Sequence, residues 1–179
     1  MLDRLRTWFL FPPVDGPRAT LLLRLMAGGV FLSEGILKFV YPNQGVGRFT
    51  KLGFPAPEEL AHFVAGLEIA GGILLLVGLG TRFIAVPFII EMIVAMLSTK
   101  VSLYLGTSPL PAPPSPPTTG IWAVLHEGRS EWAQLLTVSF LLVAGPGRWA
   151  LDAWLAKRSA AAVPGVRSSV SDLVADAPR

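Results

Sequence analysis

Cysteine is absent from the 179 residues. Its absence removes disulfides, thiolate metal sites, iron–sulfur clusters and any thiol relay within this chain. Histidine is nearly absent too. His62 and His126 are the two imidazoles, which argues against an internal haem, and no third ligand at a workable spacing accompanies them to form a metal site. No CxxC, flavin or dinucleotide motif is present to handle electrons, so the chain alone is not expected to be a complete oxidoreductase, and any enzymatic role would be as part of a quinone-linked complex. Charge is scarce: Asp, Glu, Lys and Arg make up 15% of the residues, against roughly 25% in average soluble proteins. The net charge of +3 is spread near segment ends. It reads as a set of topology signals and not as a nucleic-acid surface.

What fills the chain instead is apolar, with a mean hydropathy of +0.57. A membrane-spanning helix needs about 20 mostly apolar residues, and four segments are predicted to qualify: residues 19–41, 57–80, 83–105 and 129–145. The first stops at Pro42, the second starts at Pro57, which suits a first helical position, and the fourth is stopped by Gly145-Pro146-Gly147. The fourth is the shortest, and its start can also be drawn nearer Gly120. The expected fold is all-α, a four-helix transmembrane bundle over residues 18–158. Short interfacial helices are expected at the N-terminus (1–17), in the first outer loop (46–52) and after the fourth span.

The residues from Trp8 to Phe11 are too short an apolar run for a signal peptide, and Pro-Pro follows them. Residues 159–179 are small and polar and are expected to form a disordered cytoplasmic tail. Arg4, Arg6, Arg18, Arg82, Arg148, Lys157 and Arg158 gather on one side and outnumber the basic residues of the other, which places both termini in the cytoplasm of a bacterial-type inner membrane. The segment SPLPAPPSPPTTG in the second outer loop is a stiff polyproline-like connector; a partner-binding motif is the alternative.

The spans carry charges that hydrocarbon does not tolerate. Arg24, Gly28, Phe31, Gly35 and Lys38 are spaced 4, 3, 4 and 3 and share one helix face. Glu34 and Lys38 stand in the favourable order for an intrahelical pair. Glu68 shares a face with Gly71 or Gly72, Leu75 and Gly78. Glu91 shares one with Ile84, Phe88, Ala95 and Ser98, on a helix interrupted by Pro87. A charge at mid-membrane costs about 2.5–3.5 kcal/mol even on the lenient insertion scale. A polar cluster of Arg24, Glu68 and Glu91 is therefore expected inside the bundle, with Glu34 and Lys38 as its outer counterpart and Phe31 and Phe88 flanking a pocket. A purely architectural role for the cluster, fixing helix register, stands beside a ligand or proton role.

Four motifs in order resemble the DoxX family: Arg24 to Lys38 as R-x3-G-x2-F-x3-G-x2-K, LGFPAP at Leu52 to Pro57, E-x2-GG-x5-G-x2-TR from Glu68 to Arg82, and GPGRWALD from Gly145 to Asp152. The resemblance implies a four-helix membrane bundle with cytoplasmic termini. It also implies a setting among quinone-linked membrane redox complexes. Three functions stay open. The chain is a membrane subunit bordering a non-covalently bound quinone, a structural or assembly subunit of a membrane complex, or a small-molecule or proton carrier. Lipid and other membrane subunits are the expected partners, with no nucleic acid.

Overall fold

The computed structural model describes residues 8, 9 and 14–161. The predicted N-terminal interfacial helix and the tail lie largely outside these residues. Every regular element described is helical: α1 (Thr20–Val40), α2 (Val46–Lys51), α3 (Pro57–Val77), α4 (Thr81–Leu105), α5 (Gly120–Glu127), α6 (Arg129–Ala144) and α7 (Leu151–Ala161). Three of them, α1, α3 and α4, are long and apolar enough to cross a membrane. Only about a third of each such segment is buried inside the protein. The exposed remainder is apolar, for example Leu22, Phe63 and Leu97, as lipid contact requires.

The fourth predicted span is shorter than expected. The 16 residues of α6 rise about 24 Å, less than the ~30 Å hydrocarbon core. It is preceded by α5, and Gly128 between them keeps right-handed backbone angles. The amide of Gly128 donates to the carbonyl of Val124 at 2.8 Å, and that of Trp132 donates to Gly128 at 2.9 Å.

The four longest helices pack in a ring. α1 packs most extensively on α3, α4 packs on α6, and α1 also touches α6. The remaining side, between α3 and α4, is the least closely packed of the large contacts, and this is where space for a site arises. Small residues explain the close α1–α3 contact. A Cβ on Gly28 would lie 2.8 Å from the carbonyl oxygen of Gly72, and one on Gly72 would lie 2.8 Å from the carbonyl oxygen of Gly28. A Cβ on Gly35 would lie 2.8 Å from the carbonyl oxygen of Ala65 and 2.9 Å from Cβ of Glu68. Backbones meet here without side chains between them, as in small-residue membrane packing. We expect Gly35→Ala to destabilise the bundle by about 1–3 kcal/mol, the range for overpacking, measured as a lowered unfolding midpoint in detergent. A midpoint equal to that of the parent would refute the close contact.

The turn from α3 to α4 is set by glycine. Gly78 and Gly80 have φ of 72° and 59°, a conformation that costs little only without a Cβ. The Leu79 amide returns to the Leu74 carbonyl at 2.9 Å, a Schellman-type close. At this end of the molecule, the α7 end, the chain leaving α6 folds back. Asp152 caps the turn: its backbone amide donates to the Gly78 carbonyl at 3.0 Å, and its Oδ1 accepts from the Gly80 amide at 3.1 Å. At the opposite end, the α2 end, α2 packs on α3.

Candidate functional site

The predicted cluster divides into two. Arg24 does not join Glu68 and Glu91. It sits at the α7 end, 1% exposed, with Nη2 donating to the Trp149 carbonyl at 2.5 Å. Its guanidinium occupies the space a Gly78 side chain would need. Two facts account for the difference. The α1–α3 register opposes Gly28 to Gly72 and Gly35 to Glu68, which sets Arg24 level with Gly78. Helical side chains also lean toward their own N-terminus, so Arg24 leans away from Glu68. It is a staple joining α1, the α3–α4 turn and the segment before α7.

Arg82 is a second staple. Sequence reasoning treats it as a topology signal, yet it is 3% exposed. Its Nη1 donates to the Trp8 carbonyl at 2.6 Å and its Nη2 to the Val143 carbonyl at 2.7 Å. The guanidinium also lies over the Trp8 ring at 3.9 Å, a cation–π arrangement.

Lys38 takes the place expected of Arg24. Its lean toward the N-terminus of α1 brings it down to Glu68, while Glu68 leans up toward it on the antiparallel α3. The Lys38 Nζ lies 2.8 Å from Oε1 of Glu68 and 2.7 Å from Oε2. Glu34 approaches the same ammonium at 4.0 Å from a half-exposed position. The expected intrahelical pair is therefore present at the edge of ion-pair distance, and it joins this cluster through Lys38 instead of standing apart from it. The Glu91 carboxyl comes from α4 and lines the same cavity as Glu68 and Lys38. Its Oε2 is buried and has no hydrogen-bonding partner among the described residues. The structure thus brings together Lys38, Glu68 and Glu91, with Glu34 at the edge.

Phe31 and Phe88 do not flank an open slot. Their rings stack on each other, with centroids 3.7 Å apart and planes 4° from parallel. Both are at most 1% exposed. Gly71 makes room for Phe88: a Cβ there would come within 2.5 Å of the ring. The stack lies about one turn toward the α7 end from the carboxyls and forms the floor beneath them.

Above that floor, between α3 and α4, lies a cavity of about 390 Å³. Lys38, Glu68 and Glu91 stand in its wall, and the rest of the wall is mostly apolar, including Leu67, Met92 and Ala95. Phe63, Ile90 and Val94 line it as well and are 67%, 58% and 43% exposed, so the cavity opens sideways on a lipid-facing surface. Its roof was not anticipated as part of a site. Arg48 and Phe49 of α2, with Leu52, Phe54 and Gln44 around it, line the cavity. The amphipathic pattern from Val46 to Leu52 carries that signal in the sequence. It was expected to rest on the outer membrane surface; in the structure Arg48, Phe49 and Leu52 also line the cavity between the helices. Such a space, apolar with a few convergent polar groups, has the general character of a ligand site.

Comparison with known proteins agrees with this architecture. The DoxX family model matches residues 19–101, which holds α1, α2, α3, most of α4 and every member of the cluster. The chain is 42% identical over 153 residues to a Mycobacterium tuberculosis protein named "Uncharacterized membrane protein Rv3486", covering 82% of this chain and 87% of that protein. It is 35% identical over 81 residues to a Bacillus subtilis protein named "Putative oxidoreductase CatD", covering 45% of this chain and 59% of that one. No solved structure matches the chain significantly. Three apolar helices, a family-model match across them and a relative aligned along most of its length lead to one statement: this chain is a multi-pass membrane protein of the DoxX family.

Proposed function

We propose that the chain is the membrane subunit of a larger redox complex and holds a lipophilic quinone in the cavity between α3 and α4. The observation that carries this reading is the composition of that cavity. It is open to lipid through Phe63, Ile90 and Val94, and it has an ammonium and two carboxyls at its inner wall. A quinone needs an apolar slot for its ring and tail and a donor or acid near its carbonyl oxygens. Lys38 supplies one positive charge against two carboxyl groups, and the unpartnered Oε2 of Glu91 is the group free to meet a ligand. The electron chemistry belongs to another subunit, since this chain carries no redox motif. The name of the Bacillus subtilis relative, an oxidoreductase, agrees in kind.

In this reading α5 and α6 together complete the fourth crossing as a helix broken at Gly128. α2 and α7 lie at the two membrane surfaces, and both termini are cytoplasmic by the bias of basic residues. Small helix-bundle carriers also use midplane carboxyls. The fixed packing of α1 on α3 through paired glycines leaves little freedom for alternating access. The alternative with structural support is architectural: Lys38–Glu68 as a register lock and nothing more.

Photolabelling tests the proposal. A short-chain azido-quinone should crosslink saturably to peptides from α3 and α4 in the reconstituted protein. Unlabelled quinone should compete for the same site. Glu91→Gln should weaken binding about tenfold or more, the scale of one hydrogen bond to a charged group, while Glu59→Gln, on an exposed position, should not. Labelling that does not saturate, or that ignores Glu91, favours the architectural reading.

A further inference from the structure

The carboxyl pair is closed on one side and approachable on the other. Toward the α7 end stand the Phe31–Phe88 stack and then Leu75, Ile84, Ala85, Val138 and Leu141, all at most 9% exposed. From Glu68 to the Gly78 turn this is ten residues of α3, about 15 Å of apolar packing. Toward the α2 end the surroundings become polar. Ser98 and Thr99 follow Glu91 along α4 and line the same cavity.

Beyond them lies a second cavity of about 340 Å³ under the proline-rich segment, with Asn43, Lys51, Lys100 and Glu127 in its wall. The two cavities share Gln44, Arg48 and Thr99. A water takes up about 30 Å³ of liquid and settles where polar partners surround it. The space is present in both cavities, and the partners run along one edge of the first, through Glu91, Ser98 and Thr99, into the second.

We infer that the Glu68–Glu91 pair exchanges protons with water from the α2 end alone, through this second cavity and past the partition of Gln44, Arg48 and Thr99. In the step itself a carboxyl O–H passes its proton to a water oxygen, leaving a carboxylate and a hydronium ion, and the reverse step reloads it; no electron moves. The charged groups around the pair are Lys38 and Glu34 from α1 and Arg48 from α2. Arg48 stands on the route and holds a positive charge there, which favours single-proton relay over passage of free cations. The inference deepens the quinone reading by giving its site a one-sided proton supply. Its test needs no quinone.

The absence of cysteine makes that test direct. Single cysteines are placed at Glu91 and Ser98, the second a one-atom change, in otherwise unaltered protein in liposomes. Gln44→Cys reports the α2 side and Lys157→Cys, on an exposed position, the α7 side. A small charged, membrane-impermeant methanethiosulfonate is applied from each side in turn. Ser98→Cys and Glu91→Cys should react about tenfold or more faster from the side where Gln44→Cys reacts, because thiol modification follows access. Equal rates from both sides, faster reaction from the Lys157→Cys side, or protection of both inner positions while Gln44→Cys reacts would each overturn the inference. If Glu91→Cys does not fold, Ser98→Cys decides alone. Sided labelling together with failed quinone crosslinking would leave the water route standing and remove the ligand; the converse result would remove the route and keep the ligand.

Discussion

Lys38→Met will destabilise the protein more than any surface substitution, and adding Glu68→Gln will restore most of the loss. Glu68 is 2% exposed and both its oxygens lie within 2.8 Å of the Lys38 ammonium. Removing the cation leaves a buried carboxyl without its counter-charge, and breaking a buried pair from one side costs about 3–5 kcal/mol. For a chain of this length that corresponds to a fall of roughly 6–20 °C in unfolding midpoint. The double variant removes the charge with its partner. Replacing a whole buried pair is often close to neutral, so its midpoint should return to within about 1 kcal/mol of the parent. Thermal unfolding in one detergent across the four proteins of the cycle measures the coupling. Two single effects that simply add would show that the pair is not a unit, and the site would lose its anchor.

Arg24→Leu should loosen the opposite end of the molecule and leave the cavity alone. The guanidinium donates to the Trp149 carbonyl and fills the hollow at Gly78, which in turn receives the Asp152 amide. Loss of a hydrogen bond from a charged donor costs about 1.5–3 kcal/mol, with lost packing in addition. The expected signature is local: hydrogen exchange at the Asp152 and Gly80 amides rises, while exchange across α3 near Glu68 and quinone photolabelling stay as in the parent. An Arg24 that belongs with the carboxyls would give the reverse pattern, with labelling lost and the α7 end intact. Asp152→Asn keeps an acceptor for the Gly80 amide and should be milder than Arg24→Leu by the same exchange measurement.

The faces of the helices were legible in the sequence, and their axial register was not. The spacing of Arg24, Gly28, Phe31, Gly35 and Lys38 identified the buried stripe of α1, and of these Arg24, Gly28, Phe31 and Gly35 are buried. Glu68 with Gly71, Gly72 and Leu75 did the same for α3. Periodicity tells which way a residue points around a helix but says little about its height relative to a neighbour. Height here follows from where Gly28 meets Gly72, a tertiary fact. It decided that Lys38, and not Arg24, would reach Glu68. Phe31 and Phe88 were found on the right faces, but whether two facing rings stack or leave a gap depends on the distance between helices, and the room for the Phe88 ring comes from Gly71 on a third helix. The roof formed by α2 was visible as an amphipathic stretch from Val46 to Leu52; its docking surface was not, because a surface helix and a lid have the same pattern. The shortness of α6 was apparent, and its continuation into α5 turns on the backbone angles of a single glycine.

The stacked rings of Phe31 and Phe88 have a consequence for supply. They fill the bundle interior on the α7 side of the carboxyls, while the lipid-facing opening lies at Phe63, Ile90 and Val94. Under the proposed reading, a quinone would then enter from the half of the bilayer nearer the α2 end. Occupancy should then follow the concentration of that molecule in one leaflet, not in the membrane as a whole. Any process that moves it between leaflets would control how full the site is.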